Sequence, residues 1–243
     1  PEFRARFQGG QWDLIRGELT AAGPFTRGGD AGYLVSWLGS RHDSFHDQPI
    51  DRRESTLFGK VAVPLDSATR VTGSASYTSN RGGTPAPVPL VDGVPLSDAD
   101  PRFSRRANLN VPSAAYHEEH ARASARVSRR FSERVELSAT SGYRHSLYEF
   151  VDDGDFLSMG NGDSVILFPF SRPREEDAYY TDLRLQLDLG GGRMRHRVLA
   201  GGTLDRNTGE VSTTLPFSDP ESGGVPVGYL DPEFPPRASG DAI

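Results

Sequence analysis

Residues 183–189 read Leu-Arg-Leu-Gln-Leu-Asp-Leu. Side chains alternate across a β-strand, so this run has one aliphatic face and one polar face. The same period of two recurs over residues 3–8, 12–22, 31–42, 53–65, 69–80, 118–131, 133–151, 178–189 and 194–206. One such run arises by chance; most of nine do not, and together they specify an all-β chain. No long segment repeats apolar residues at i, i+3, i+4 and i+7, and no apolar run reaches the roughly eighteen residues of a transmembrane helix.

The connections between these segments alternate in length. Residues 23–30, 65–69, 130–134 and 190–193 are short, whereas 43–51, 80–117, 152–176 and 207 onward are long and hold most of the Pro and Gly. Compact soluble domains rarely carry several structureless connections above about 15 residues. A transmembrane β-barrel has short periplasmic turns and long extracellular loops, on strands that need about 9–11 residues to cross the hydrocarbon. The expected fold is therefore an antiparallel transmembrane β-barrel, present here as about nine strands.

Parity then assigns the faces. Ala125, Val127, Val135, Leu137 and Ala139 face lipid, and Arg126, Glu136, Ser138 and Thr140 face the lumen. Only half of each strand touches lipid, so a chain with 35% hydrophobic residues can still cross a membrane. The outward parity puts Tyr33 and Phe131 near the short turns and Tyr77, Tyr143 and Tyr179 near the long loops. Aromatic rings favour both membrane interfaces, where an apolar body and a polar tip are satisfied together.

The order of segments carries a resemblance. "GELTAAGPFTRGGDAGYLVSWLGSRHDSFHD" (17–47), "ESTLFGKVAVPLDSATRVTGSASYTSN" (54–80), "RRFSERVELSATSGYR" (129–144) and "TDLRLQLDLGGGRMRHRVLAGGTLDR" (181–206) resemble successive hairpins of TonB-dependent outer-membrane receptors. The siderophore branch, including ferrichrome-type receptors, is the nearest match. The resemblance implies a bacterial outer-membrane barrel of about 22 strands closed by an N-terminal plug. It also implies uptake of a ferric siderophore or similar iron complex, driven by the TonB complex through that plug. On this reading residues 1–243 are one partial barrel domain, and the plug and later strands lie outside the chain. Residues 81–100 carry no aromatic, a departure from the ferrichrome-type loop that leaves a siderophore in general as the ligand. A passive porin and a secreted all-β binding protein are the alternatives; a plug and TonB box upstream would set the receptor apart from a porin.

Lumen positions nearest the long loops are the expected ligand contacts: His42, Thr78, Asn80, His120, Arg122, Arg144, Tyr148 and Tyr180. Arginine and aromatic side chains suit an anionic iron chelate through charge-assisted hydrogen bonds and stacking. Iron enters only as the bound chelate. Asp152, Asp153 and Asp155 offer oxygen ligands to calcium, although the acidic ligand that closes an EF-hand is missing and a solvated acidic loop is the stronger reading. His117 and His120, at i and i+3 of a strand, point to opposite faces, which disfavours a shared metal. No serine elbow, phosphate loop or other catalytic constellation is present, so the chain reads as a transporter. A net charge of −6 without a basic cluster argues against nucleic acid.

Overall fold

The computed structural model of the chain describes residues 1–26, 28–44, 46, 50–85, 88–111, 113–159, 164–190, 196–213 and 225–228. Nine strands form one antiparallel meander in which each pairs with the next along the chain. They are β1 (Glu2–Gly9), β2 (Ile15–Pro24), β3 (Gly32–His42), β4 (Arg52–Pro64), β5 (Thr69–Gly83), β8 (Ala115–Ser132), β9 (Val135–Met159), β10 (Ser164–Leu189) and β11 (His196–Val211). A short β12 (Val225–Gly228) adds to the upper part of β10. The sheet is an open wall edged by β1 and β11.

Directly opposite residues in an antiparallel pair point to the same face. The register therefore joins the apolar positions of separate strands into one band. Val35 pairs with Gly59 and Gly59 with Ala75; Val71 pairs with Val127 and Val127 with Ala139; Ala139 pairs with Leu183 and Leu183 with Gly202. Val35, Leu57, Val61, Val127, Leu137, Leu183 and Val198 are all exposed on this face, as lipid-facing residues are. Tyr33 stands at its lower rim against Phe25, with ring centroids 5.1 Å apart. Tyr143 and Tyr179 meet at its upper rim at 4.8 Å.

The opposite face is polar and built largely of small hydroxyls. Ser74 and Ser124 lie 2.9 Å apart and Thr56 and Thr78 3.1 Å apart across their strand pairs. The lower turn between β4 and β5 is tight. Leu65 N–H donates to the Thr69 carbonyl, and Asp66 Oδ1 accepts from the backbone N–H groups of both Ala68 and Thr69 at 2.7 Å.

The long connections divide. Of residues 152–176, expected as a loop, 152–159 and 164–176 instead continue β9 and β10 upward with bulges. Apolar residues at 156–157 and 165–168 favour strand, and Pro169 and Pro173 sit in the ladder near a register shift between Phe170 and Arg172, where a missing donor is tolerated. The β5–β8 connection folds on itself. It contains the hairpin β6 (Leu90–Val91) and β7 (Val94–Pro95), turned at Asp92 and Gly93 with φ of 50° and 82°, and one helical turn α1 (Leu96–Ala99). Leu96, Phe103, Leu109, Val111 and Ala114 are buried there against Ile50. Asn110 is fully buried and clamps the two legs: its amide donates to Thr84 O (3.1 Å) and Thr84 Oγ1 (3.3 Å).

Candidate functional site: the upper lumen wall

Register places all the expected contacts on the polar face, in three groups at successive heights. Highest, His42 stands opposite Arg52 and joins Asn80, Glu54 and Tyr116 around a concavity of about 230 Å³. His42 Nδ1 lies 3.2 Å from the Asp43 carbonyl oxygen, which makes that nitrogen the donor. Asn80 donates to Glu118 Oε2 at 3.5 Å. Asn80 Oδ1 and Arg52 Nε are buried without a hydrogen-bond partner among the described residues, one acceptor and one donor aimed at a polar hollow. Such atoms cost stability unless water or a ligand satisfies them.

One step lower, His120 Nδ1 meets Ser146 Oγ at 3.1 Å, and its ring stands edge-on to Tyr148 with centroids 5.1 Å apart. Arg174 lies 6.0 Å over the other ring system of this group, Tyr148. Sequence reasoning passed over Arg174, because it falls in the stretch read as loop.

The lowest group lies level with the upper tyrosines of the outer face. Arg122 pairs directly with Arg144, and Arg122 with Ser76 on its other side. Neither guanidinium makes an ion pair among the described residues, although like charges directly opposite are destabilising. Phe58, Tyr180, Asp205 and Asn207 complete a concavity of about 550 Å³ around them. Tyr180 is held by its neighbour: it pairs with Gly142, and a Cβ at that glycine would run into the Tyr180 ring. This wall offers two uncompensated cations and flat aromatic surfaces to an anionic, ring-bearing ligand.

Two other candidates resolve differently. Asp152, Asp153 and Asp155 lie on the backbone of β9, beside a register shift, and their side chains are outside the described residues. His117 faces outward and His120 inward, as the spacing required. A cluster that the sequence did not reveal, His145, Glu175 and Asp177, has ligating atoms within 4.8 Å of one another, but it sits on the outer face. Tyr143 Oη donates to Asp177 at 2.6 Å and His145 Nδ1 lies 3.0 Å from the same oxygen. Only the β9–β10 register brings these residues together.

No protein-family model matches the chain, and no curated protein does. Solved structures do match. The ferripyoverdine receptor of the outer membrane of Pseudomonas aeruginosa, bound to ferripyoverdine, superposes with a TM-score of 0.77 at 19% identity, over 88% of this chain and 28% of that one. The siderophore receptor PiuA from Acinetobacter baumannii gives 0.79 at 15% identity, over 97% and 36%. The ferric-catecholate import receptor Fiu from E. coli K12 gives 0.73 at 12% identity, over 95% and 34%. The chain spans about a third of the length of these receptors. At these identities the likeness is one of fold: the chain has the fold of a stretch of the barrel wall of outer-membrane siderophore receptors.

Proposed function

We propose that the chain is part of the barrel of an outer-membrane receptor that captures a ferric siderophore, or a similar anionic iron complex, for TonB-dependent uptake. The observation that carries this reading is the Arg122–Arg144 pair. It lies unneutralised in the upper lumen between Tyr180 and Phe58. An anionic chelate arriving from the extracellular side relieves the repulsion of the pair and stacks on the rings. His42, Asn80, His120 and Tyr148 line the way in. The plug and TonB, outside this chain, would gate the passage; no bond of the cargo is made or broken. The reading keeps calcium as a structural ion for this region, with Asp152, Asp153 and Asp155 as its candidate oxygen ligands.

The test is quenching of intrinsic fluorescence of the full-length receptor by a panel of ferric siderophores. One chelate should bind, and Arg122→Gln with Arg144→Gln should weaken it by about tenfold or more, as loss of charge-assisted contacts does. Binding by no chelate, or equal binding by the variant, overturns the assignment. A passive channel differs in a second measurement: its solute flux would persist when TonB is absent.

A further inference from the structure

The outer face changes character above its aromatic rim. Trp37, Leu57 and Tyr77 form one row across β3, β4 and β5. Gly39, Ser55 and Ser79 form the next, and Arg41, Arg53 and Arg81 the one above. Four residues at about 3.3 Å each put the arginines at most about 13 Å beyond the aromatic row, and less on tilted strands. Trp37 Nε1 donates upward to Ser55 Oγ at 3.3 Å. An interfacial aromatic turns its polar tip out of the hydrocarbon, so the arginines stand on the head-group side.

Three cations directly opposite one another call for counter-charge. Asp51 supplies one: Oδ1 accepts from Arg41 Nε at 3.0 Å, and Oδ2 from Arg53 Nε at 3.0 Å and Nη2 at 2.7 Å. These bonds leave both terminal nitrogens of Arg41 and one of Arg53 free to donate, and both side chains are 57% exposed. Arg81 makes no ion pair among the described residues. The row continues to His117 and then Glu149, and His117 lies 3.0 Å from a Glu119 carboxylate oxygen and 3.4 Å from one of Glu149. The basic stretch therefore ends at β5, and an acidic one begins at β8.

We propose that Arg41, Arg53 and Arg81 form a seat for the phosphate groups of an outer-leaflet lipid. Guanidinium forks match phosphate oxygens, and Asp51 presets two of the forks. The occupant is a lipid because the row continues the lipid-facing band directly below it, so one molecule lays its chains on Val35, Leu57 and Val61 and its phosphates on the arginines. The acidic groups on β8–β10 repel phosphate and confine the seat to β3–β5. The proposal rests on the outer-membrane reading above.

The experiment is native mass spectrometry of the full-length receptor purified from the outer membrane in detergent, delipidated and then titrated with diphosphorylated lipid A. The wild type should retain the lipid. Arg41→Gln, Arg53→Gln and Arg81→Gln combined should weaken retention by about tenfold or more, and dephosphorylated lipid A should bind no better to the wild type than to the variant. Should the triple variant fail to assemble, Arg81→Gln alone, which breaks no ion pair, should still lower retention several-fold, by roughly the loss of one charge-assisted contact. Equal retention by wild type and variants overturns the proposal, and so does displacement of the lipid by inorganic phosphate at comparable concentration, which would mark a free-anion site. A receptor recovered outside the outer membrane would instead sink the membrane reading itself.

Discussion

The sheet and the β5–β8 connection use apolar residues in opposite ways. Nearly all the buried hydrophobic residues, Leu96, Phe103, Leu109, Val111 and Ala114 with Ile50, belong to or touch the connection. The far larger sheet leaves Leu57, Val61, Val127 and Leu183 exposed. On the proposed outer-membrane reading the connection faces water on the extracellular side and must hide its apolar groups in itself, as any small soluble unit does. On the same reading the sheet has lipid as solvent for one face, so it needs no core there, and its backbone bonds are closed by neighbouring strands. One chain thus obeys two solvation rules, divided near the upper aromatic row.

The sharpest way to break this division is to damage each region by its own rule. Leu96→Ala empties part of the small core and should cost about 2–5 kcal/mol, the range of buried leucine truncations. The loss should stay local: hydrogen exchange of the full-length receptor should speed up over residues 84–114 while β9 and β10 keep their protection. Leu183→Arg attacks the sheet instead and should cost about 2–4 kcal/mol, as a cation near mid-bilayer on the lipid face does. Its neighbour Arg184 already points into the lumen, bound to Asp182 at 2.7 Å, and Arg184→Leu should cost about 1 kcal/mol or less, as exposed ion pairs do. Denaturant unfolding of the receptor in bilayers reads both. Equal costs at positions 183 and 184 would remove the distinction between the faces.

Which parts of this arrangement the sequence discloses follows from the same division. Where one face meets lipid and the other a polar lumen, the period of two is strong, and Leu183–Leu189 or Val61–Val63 declare their faces directly. On the proposed outer-membrane reading both faces meet water above the membrane and the alternation fades, so 152–176 looks like loop although the backbone of 152–159 and 164–176 is strand. The core of the connection is built from Leu96, Phe103, Leu109 and Val111, whose spacing follows no helix or strand period. For the site, parity finds which residues face the lumen. It does not find that Arg122 stands beside Arg144, or that Arg41, Arg53 and Arg81 share a row, because both depend on register across pairs of strands.

A smaller effect tests a place where a ring packs tightly on the sheet. Gly142 gives its space to the Tyr180 ring, so Gly142→Ala forces the ring to move or the strands to part. Overpacking of this kind costs about 1–3 kcal/mol. Siderophore affinity should fall along with the unfolding midpoint, since Tyr180 lines the same concavity as Arg122 and Arg144. An unchanged affinity would show that Tyr180 supports the wall without touching ligand.

The smallest effect separates the two regions by pH. The core of the connection is made of apolar residues with Asn108 and Asn110, none of which ionises, and its ion pairs, Arg102–Asp100 and Arg105–Asp98, lie outside that core. The lower turn of the sheet between β4 and β5 is closed by a carboxylate. Backbone N–H donation from Ala68, joined by Thr69 and the Arg129 charge, outweighs desolvation and holds the Asp66 carboxyl below its ordinary value of 3.8. A carboxyl with a depressed folded-state pKa stabilises the fold above its unfolded pKa, and the contribution fades as pH falls through the folded value. Wild type should therefore lead Asp66→Ala by a constant margin at neutral pH, and the margin should shrink below about pH 4. Thermal or denaturant midpoints of the full-length receptor in acid-stable detergent, compared across that window, measure it. Leu96→Ala should show a margin without such a slope, because no proton is bound or released in the core that it damages. If the Asp66 margin persists unchanged into strong acid, the turn is held by its backbone bonds alone and the carboxylate is incidental.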